Sequence, residues 1–143
     1  MAERFFYRGT CPGWPGSGPV QSVRMTPVTT DPLVATLFAL ECRRYGPSVV
    51  HLASKSSVAQ IIGCGNKFAE LECEIGLTVT PLEFAANHST RCLPVEVARS
   101  ILHDLGFPLP AVISSKWWLQ IELQASVRLT DTEIVEFDRQ AMR

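Results

Sequence analysis

The chain lacks most of the devices by which a sequence announces its chemistry. Its five cysteines, Cys11, Cys42, Cys64, Cys73 and Cys92, are odd in number and form no C-x-x-C pair. That argues against a zinc site, and free thiols in a reducing cytoplasm are the simplest reading. The histidines His51, His88 and His103 show no metal-ligand spacing such as HxxxH, and each reads as structural. No Walker A loop, GxGxxG or GxSxG occurs. No apolar run approaches the ~18 residues of a membrane span, and Phe5-Phe6-Tyr7 is too short for the apolar core of a secretory leader. The expected setting is therefore the cytoplasm, or delivery into a target cell without a conventional signal peptide. With 13 basic against 14 acidic residues, the chain carries no electrostatic footprint for nucleic acid or an anionic membrane surface.

What is present is a globular composition. An apolar fraction of 46% against 19% charged argues against disorder. A chain of 143 residues predicts one domain, 1–143, able to bury roughly two-thirds of its unfolded surface. Phe5 to Gly9 reads as a first strand, followed by a loop rich in Gly and Pro from Cys11 to Pro19. Val20 to Met25 reads as a second strand. Asp31 is a good N-cap and Pro32 suits the first helical position, so a helix is expected through Leu33, Leu37, Phe38 and Leu40, stopping at Gly46-Pro47. Ser48 to Ala53 reads as a β-branched strand and Ser56 to Ile62 as a short helical turn. Leu71 to Val79 alternates with period two and reads as a strand. Pro94 to Leu105 reads as an amphipathic helix stopped by Gly106, and Trp117 to Leu129 as a long strand. Asp131 to Arg143 fits helix or strand. Helices and strands do not alternate strictly, which predicts an α+β fold.

Three short segments carry the candidate chemistry. Arg8 ends an apolar strand. A guanidinium offers a planar fork of donors suited to a diphosphate, and is costly in a buried place unless it meets an anion. A salt bridge at the strand end is the alternative. Thr29 and Thr30 put hydroxyls at a strand-to-helix junction, where they can orient a carboxylate or a ribose, or cap the helix. Glu70, Glu72 and Glu74 are spaced by two, so a strand would place all three on one face, as a reactive cluster or as a solvated edge. Trp117-Trp118, adjacent on a strand, would face opposite sides, so one could anchor a protein partner.

The order of these segments resembles the Arg–Ser/Thr–Glu pattern of the mono-ADP-ribosyltransferase family of toxins and effectors. A strand ends in Tyr7-Arg8-Gly9. Thr29-Thr30 then precede a helix of the form Asp-Pro-x-x-Ala-x-x-Phe-Ala, and Glu72-Cys73-Glu74-Ile75 opens a later strand. The match covers residues 5–80 by pattern. It implies an α+β domain of two small packed β-sheets with flanking helices and a dinucleotide cleft between the sheets. It implies NAD as co-substrate, no metal, and transfer of ADP-ribose to a macromolecular acceptor, a protein, with a cognate inhibitor or immunity protein as a further partner. By the resemblance, Tyr7, Arg8 and Gly9 hold the dinucleotide, and Thr29 and Thr30 brace the nicotinamide pocket. Glu74 binds the ribose hydroxyl and stabilises the developing cation, and Glu72 orients the acceptor; a shift of register would assign these roles to Glu72 and Glu70. Val28 departs from the pattern, standing where the family has a serine. That departure keeps a second reading open, a catalytically degenerate NAD-binding or protein-interaction module on the same fold. The chemistry suits so small a site. Loss of nicotinamide leaves an oxocarbenium-like sugar that a fixed carboxylate stabilises, and the leaving group needs no strong acid.

Overall fold

The computed structural model describes residues 3–11, 25–58, 61–62, 73–113 and 128–143. The fold is α+β, and its centre is one antiparallel sheet. The strands are β1 (Phe5–Thr10), β2 (Thr26–Thr29), β3 (Val49–Ser54), β4 (Ile61–Ile62), β5 (Glu74–Leu77) and β6 (Ser89–Pro94), ordered β4-β5-β2-β1-β3-β6. All of them join this one sheet, so the expected pair of packed sheets is not formed by the described strands. The helices are α1 (Pro32–Cys42), α2 (Pro81–Glu83), α3 (Val95–Asp104) and α4 (Asp131–Ala141).

Helix α1 starts where the sequence predicts. Asp31 Oδ1 accepts from the Leu33 N–H at 2.8 Å, and Pro32 occupies the first turn. Oδ2 of the same carboxylate accepts from the Leu129 N–H at 3.1 Å, tying the approach to α4 against the start of α1. Because α1 is apolar around most of its circumference, it is a central helix, with Leu33, Val34, Leu37 and Leu40 all buried. Helix α3 buries Val95, Ala98, Ile101 and Leu102 and ends at Gly106, whose φ of +96° suits a residue without Cβ.

Residues 131–143, open to either reading from sequence, form α4. Thr130 Oγ1 accepts from the Glu133 N–H, and Glu133 accepts from the Thr130 N–H, a reciprocal capping box. Ile134, Phe137, Asp138 and Ala141 recur at helical spacing and are buried. At the far end, Arg91 donates to the Ala141 and Arg143 carbonyls, satisfying part of the helix C-terminus.

Three local expectations change. Thr26–Thr29 is a strand, β2, where the sequence suggested only a junction; the predicted strand at 20–25 lies almost wholly outside the described residues. The turn expected at Ser56–Ile62 is a 3₁₀ turn over Lys55–Ser57, after which Ile61–Ile62 pairs with β5 as an edge strand. Ser89–Pro94 forms β6, whose exposed Thr90, Arg91 and Cys92 hide the apolar alternation that sequence reading relies on. Most of the predicted strand from Trp117, both tryptophans included, lies outside the described residues.

The two faces of the sheet differ. Helices α1, α3 and α4 cover the first, where 20 of the described residues, among them Phe5, Tyr7, Leu52 and Leu93, form the main core. Among the described residues the second carries a cluster of Phe6, Val28, Ala53, Leu77 and Phe84.

Candidate functional site

The three segments singled out from sequence come together as neighbours. β1 carries Tyr7-Arg8-Gly9, β2 carries Val28-Thr29 and runs into Thr30, and β5 begins at Glu74; the three strands lie side by side as β5-β2-β1. Tyr7 pairs with Thr29, and Thr29 with Glu74, so these three share one row. Directly paired residues project to the same side of a sheet, and successive residues to opposite sides. Tyr7, Thr29 and Glu74 therefore belong to the first, helix-covered face. Arg8 belongs to the second, with His51 opposite it on β3 and Cys92 opposite His51 on β6. The sheet thus brings the Arg8 and Glu74 segments together but sends their side chains to opposite faces.

Each predicted site residue has a definite place. Tyr7 is fully buried, stacks edge-on against Phe137 at 6.1 Å and donates its hydroxyl to Asp138 of α4. Burial pushes the Tyr7 phenol far above its ordinary range, and the adjoining Asp138 adds to that. Gly9 lies under α1: a Cβ there would stand 1.8 Å from the Ala35 carbonyl oxygen. The structure thereby gives Tyr7 and Gly9 packing roles away from the face that carries Arg8.

Thr29 is buried, and its hydroxyl accepts from the Asp31 N–H at 3.2 Å. Thr30 is half-buried and donates its N–H to the Cys73 carbonyl at 3.2 Å, joining the end of β2 to the residue before β5. Cys73 has a φ of +51°, which breaks the period-two alternation predicted through Leu71–Val79 just before Glu74. Glu74 is half-buried at the start of β5. Glu70 and Glu72 lie outside the described residues. Val28 is buried among the apolar residues of the second face, so the position is filled by packing where the family pattern has a hydroxyl.

Arg8 is half-buried and donates to the Pro27 carbonyl at 2.9 Å. Among the described residues no carboxylate pairs with it, which sets aside the strand-end salt bridge there. Burial lowers its pKa, yet a guanidinium remains charged at working pH. Its neighbour His51, 8% exposed, was not marked by the sequence because nothing around it has ligand spacing. His51 Nδ1 lies 2.8 Å from the Ser89 hydroxyl, and its ring meets Phe84 edge-on at 5.9 Å. Burial, with Arg8 beside it, lowers the imidazole pKa. At the rim of the same face, the Lys55 ammonium stands over the Phe6 ring, 5.3 Å from its centre.

Other candidates are inert. Cys11, at the start of the predicted Gly- and Pro-rich loop, is fully buried, and burial pushes the nearby Cys42 thiol up to about 12, which opposes a reactive thiolate. Among the described residues no three His, Cys, Asp or Glu side chains could hold a metal ion, and no helix is long and apolar enough to cross a membrane. Searches against family models, curated proteins and solved structures find no match to this chain.

Proposed function

We propose that the chain is a mono-ADP-ribosyltransferase of the toxin or effector type, transferring ADP-ribose from NAD to a protein acceptor, on a domain related to that family's two-sheet fold. The observation that carries this reading is the adjacency of β1, β2 and β5. Three segments far apart in sequence, matching the family's arginine, hydroxyl and glutamate elements, occupy neighbouring strands in paired register. Arg8 has the chemistry to grip the dinucleotide phosphates, because it is a half-buried cation without a carboxylate partner among the described residues. Thr29 and Thr30 fix the end of β2. The carboxylate that steadies the developing ribosyl cation is Glu74 or its neighbour Glu72. Glu74 starts its strand just after Cys73, whose left-handed backbone interrupts the alternation there.

The test is titration calorimetry with NAD, followed by transfer of labelled ADP-ribose to protein. Arg8→Ala is expected to weaken NAD binding at least tenfold, the loss of one charge-assisted contact to phosphate. Of Glu74→Gln and Glu72→Gln, the one that abolishes transfer while leaving NAD bound identifies the catalytic carboxylate. Failure of the wild-type chain to bind NAD overturns the proposal.

Two observations favour the second reading, an NAD-binding or protein-interaction module without turnover. Arg8 and Glu74 project from opposite faces, and Val28 is packed where a hydroxyl was expected. That reading predicts NAD binding with no nicotinamide release in wild type, and transfer unaffected by either glutamate change because there is none.

A further inference from the structure

We propose that Arg8 and His51 together form a phosphate subsite on the second face of the sheet, and that an anion bound there draws a proton onto His51 Nε2. The proposal rests on the NAD reading only for the source of the phosphate, which that reading takes to be the dinucleotide's diphosphate.

The geometry is a cross-strand pair. Arg8 on β1 and His51 on β3 are directly opposed in register, so their side chains leave the same face side by side. Among the described strand residues the other side chains of that face are apolar or neutral polar, such as Thr26 and Ser89. Phe6, Val28, Ala53 and Leu77 belong to the apolar cluster of this face, Lys55 stands over Phe6 at its rim, and none of the described strand residues that project there is a carboxylate. A half-buried guanidinium with one carbonyl as partner keeps further N–H donors for a ligand.

The hydrogen bonds favour one histidine tautomer. Ser89 donates its hydroxyl proton to the Arg91 carbonyl at 3.2 Å, so toward His51 it acts as acceptor. Nδ1 therefore carries the ring proton, and Nε2 of the neutral imidazole is bare. Nε2 meets no protein donor or acceptor among the described residues. Its ionisable neighbours there are Arg8 from β1 and Cys92 from β6; the turn after α2 contributes the Phe84 ring. Beside an uncompensated Arg8 the ring stays neutral. An anion on Arg8 removes that repulsion and offers an acceptor, so Nε2 takes up a solvent proton and becomes a second donor to the same phosphate.

The experiment uses the full chain and inorganic pyrophosphate, titrated calorimetrically at pH 7 in two buffers of different ionisation heat, with the His51 ring followed by NMR. Wild type is expected to bind pyrophosphate with proton uptake and movement of the His51 resonances. Arg8→Ala and His51→Gln should each weaken binding about tenfold or more. The excess proton uptake should vanish in His51→Gln, which also subtracts pyrophosphate's own protonation. Still His51 resonances in the wild-type titration, or a His51→Gln chain that binds as tightly as wild type, overturn the subsite. The wild-type NMR arm decides even if a variant folds poorly. An NAD titration separates this proposal from the reading beneath it. If pyrophosphate engages both residues and NAD does not compete, the subsite stands and the dinucleotide reading falls. If NAD binds without moving His51, the subsite falls and the dinucleotide reading stands.

Discussion

The two faces of this sheet obey different rules. On the first, three polar groups are committed to the fold: Tyr7 to Asp138, Asp31 to the starts of α1 and the α4 approach, Arg91 to the end of α4. On the second, beside a small apolar core, the cationic Arg8 and the neutral His51 keep unspent donor and acceptor capacity. A buried polar group with all its bonds made holds a fold together, whereas one with bonds left over is a place where a ligand contributes. By that distinction the first face is mainly structure, with Glu74 at the start of β5 the exception, and the second is where anion binding is expected. The side of the sheet to which a residue projects matters more here than its proximity in sequence to a motif: Arg8 stands between Tyr7 and Gly9, and all three have different tasks.

The sharpest way to break this division is at Gly9. With a Cβ only 1.8 Å from the Ala35 backbone oxygen, Gly9→Ala forces α1 away from β1, and no side-chain rotation relieves a backbone clash. Loss of about 3 kcal/mol or more is expected, read from urea unfolding. If Gly9 instead mattered mainly to the dinucleotide, the variant would keep its stability and lose NAD binding, and the assignment of this residue to the first face would be wrong.

A smaller effect is expected at Tyr7. Tyr7→Phe keeps the ring against Phe137 but leaves the Asp138 carboxylate buried without its donor, a cost of about 1–3 kcal/mol. Adding Asp138→Leu removes the orphaned group, so the double variant should recover much of the loss in thermal unfolding. Pyrophosphate binding should be the same in all of these chains, since the change lies on the face away from Arg8. A loss of anion binding in Tyr7→Phe would show that the two faces are coupled.

The sequence made the frame of this fold legible where local chemistry decides. Asp31-Pro32 marked the start of α1, Gly106 the end of α3, and the apolar lead-in to Arg8 the strand β1. The Thr130-x-x-Glu133 capping box was also readable, and it would have settled residues 131–143 as helix. Sheet facing was not readable, because it depends on pairing between distant segments and on a single left-handed residue, Cys73, that interrupts the alternation. His51 read as structural from sequence for a related reason. Its significance comes from Arg8 across the strand pair, 43 residues earlier in the chain, and no spacing rule links them. The tryptophan pair and Glu72 lie outside the described residues, so the partner surface and the second carboxylate rest on sequence alone.

The most delicate test of the division is the pH dependence of stability. Burial raises the Asp138 carboxyl from 3.8 to about 6, against the opposing pull of the Tyr7 hydroxyl and of Arg4 and Lys55. An acid whose pKa is higher in the folded state binds its proton more tightly there than in the unfolded chain. Its contribution to stability is therefore fully present below the unfolded value and is lost as pH rises through about 6. The contribution from this site should fall between pH 3.8 and about 6, opposite to that of a salt-bridged carboxylate. Asp138→Asn keeps an acceptor for the Tyr7 hydroxyl and removes the titration. Subtracting its urea-unfolding profile from that of wild type should isolate a slope confined to this window. A flat difference would mean that Asp138 stays charged throughout, with Arg4 and Lys55 compensating it. The first face would then share with the second a dependence on cations at its rim, and the contrast between them would rest on hydrogen-bond completeness alone.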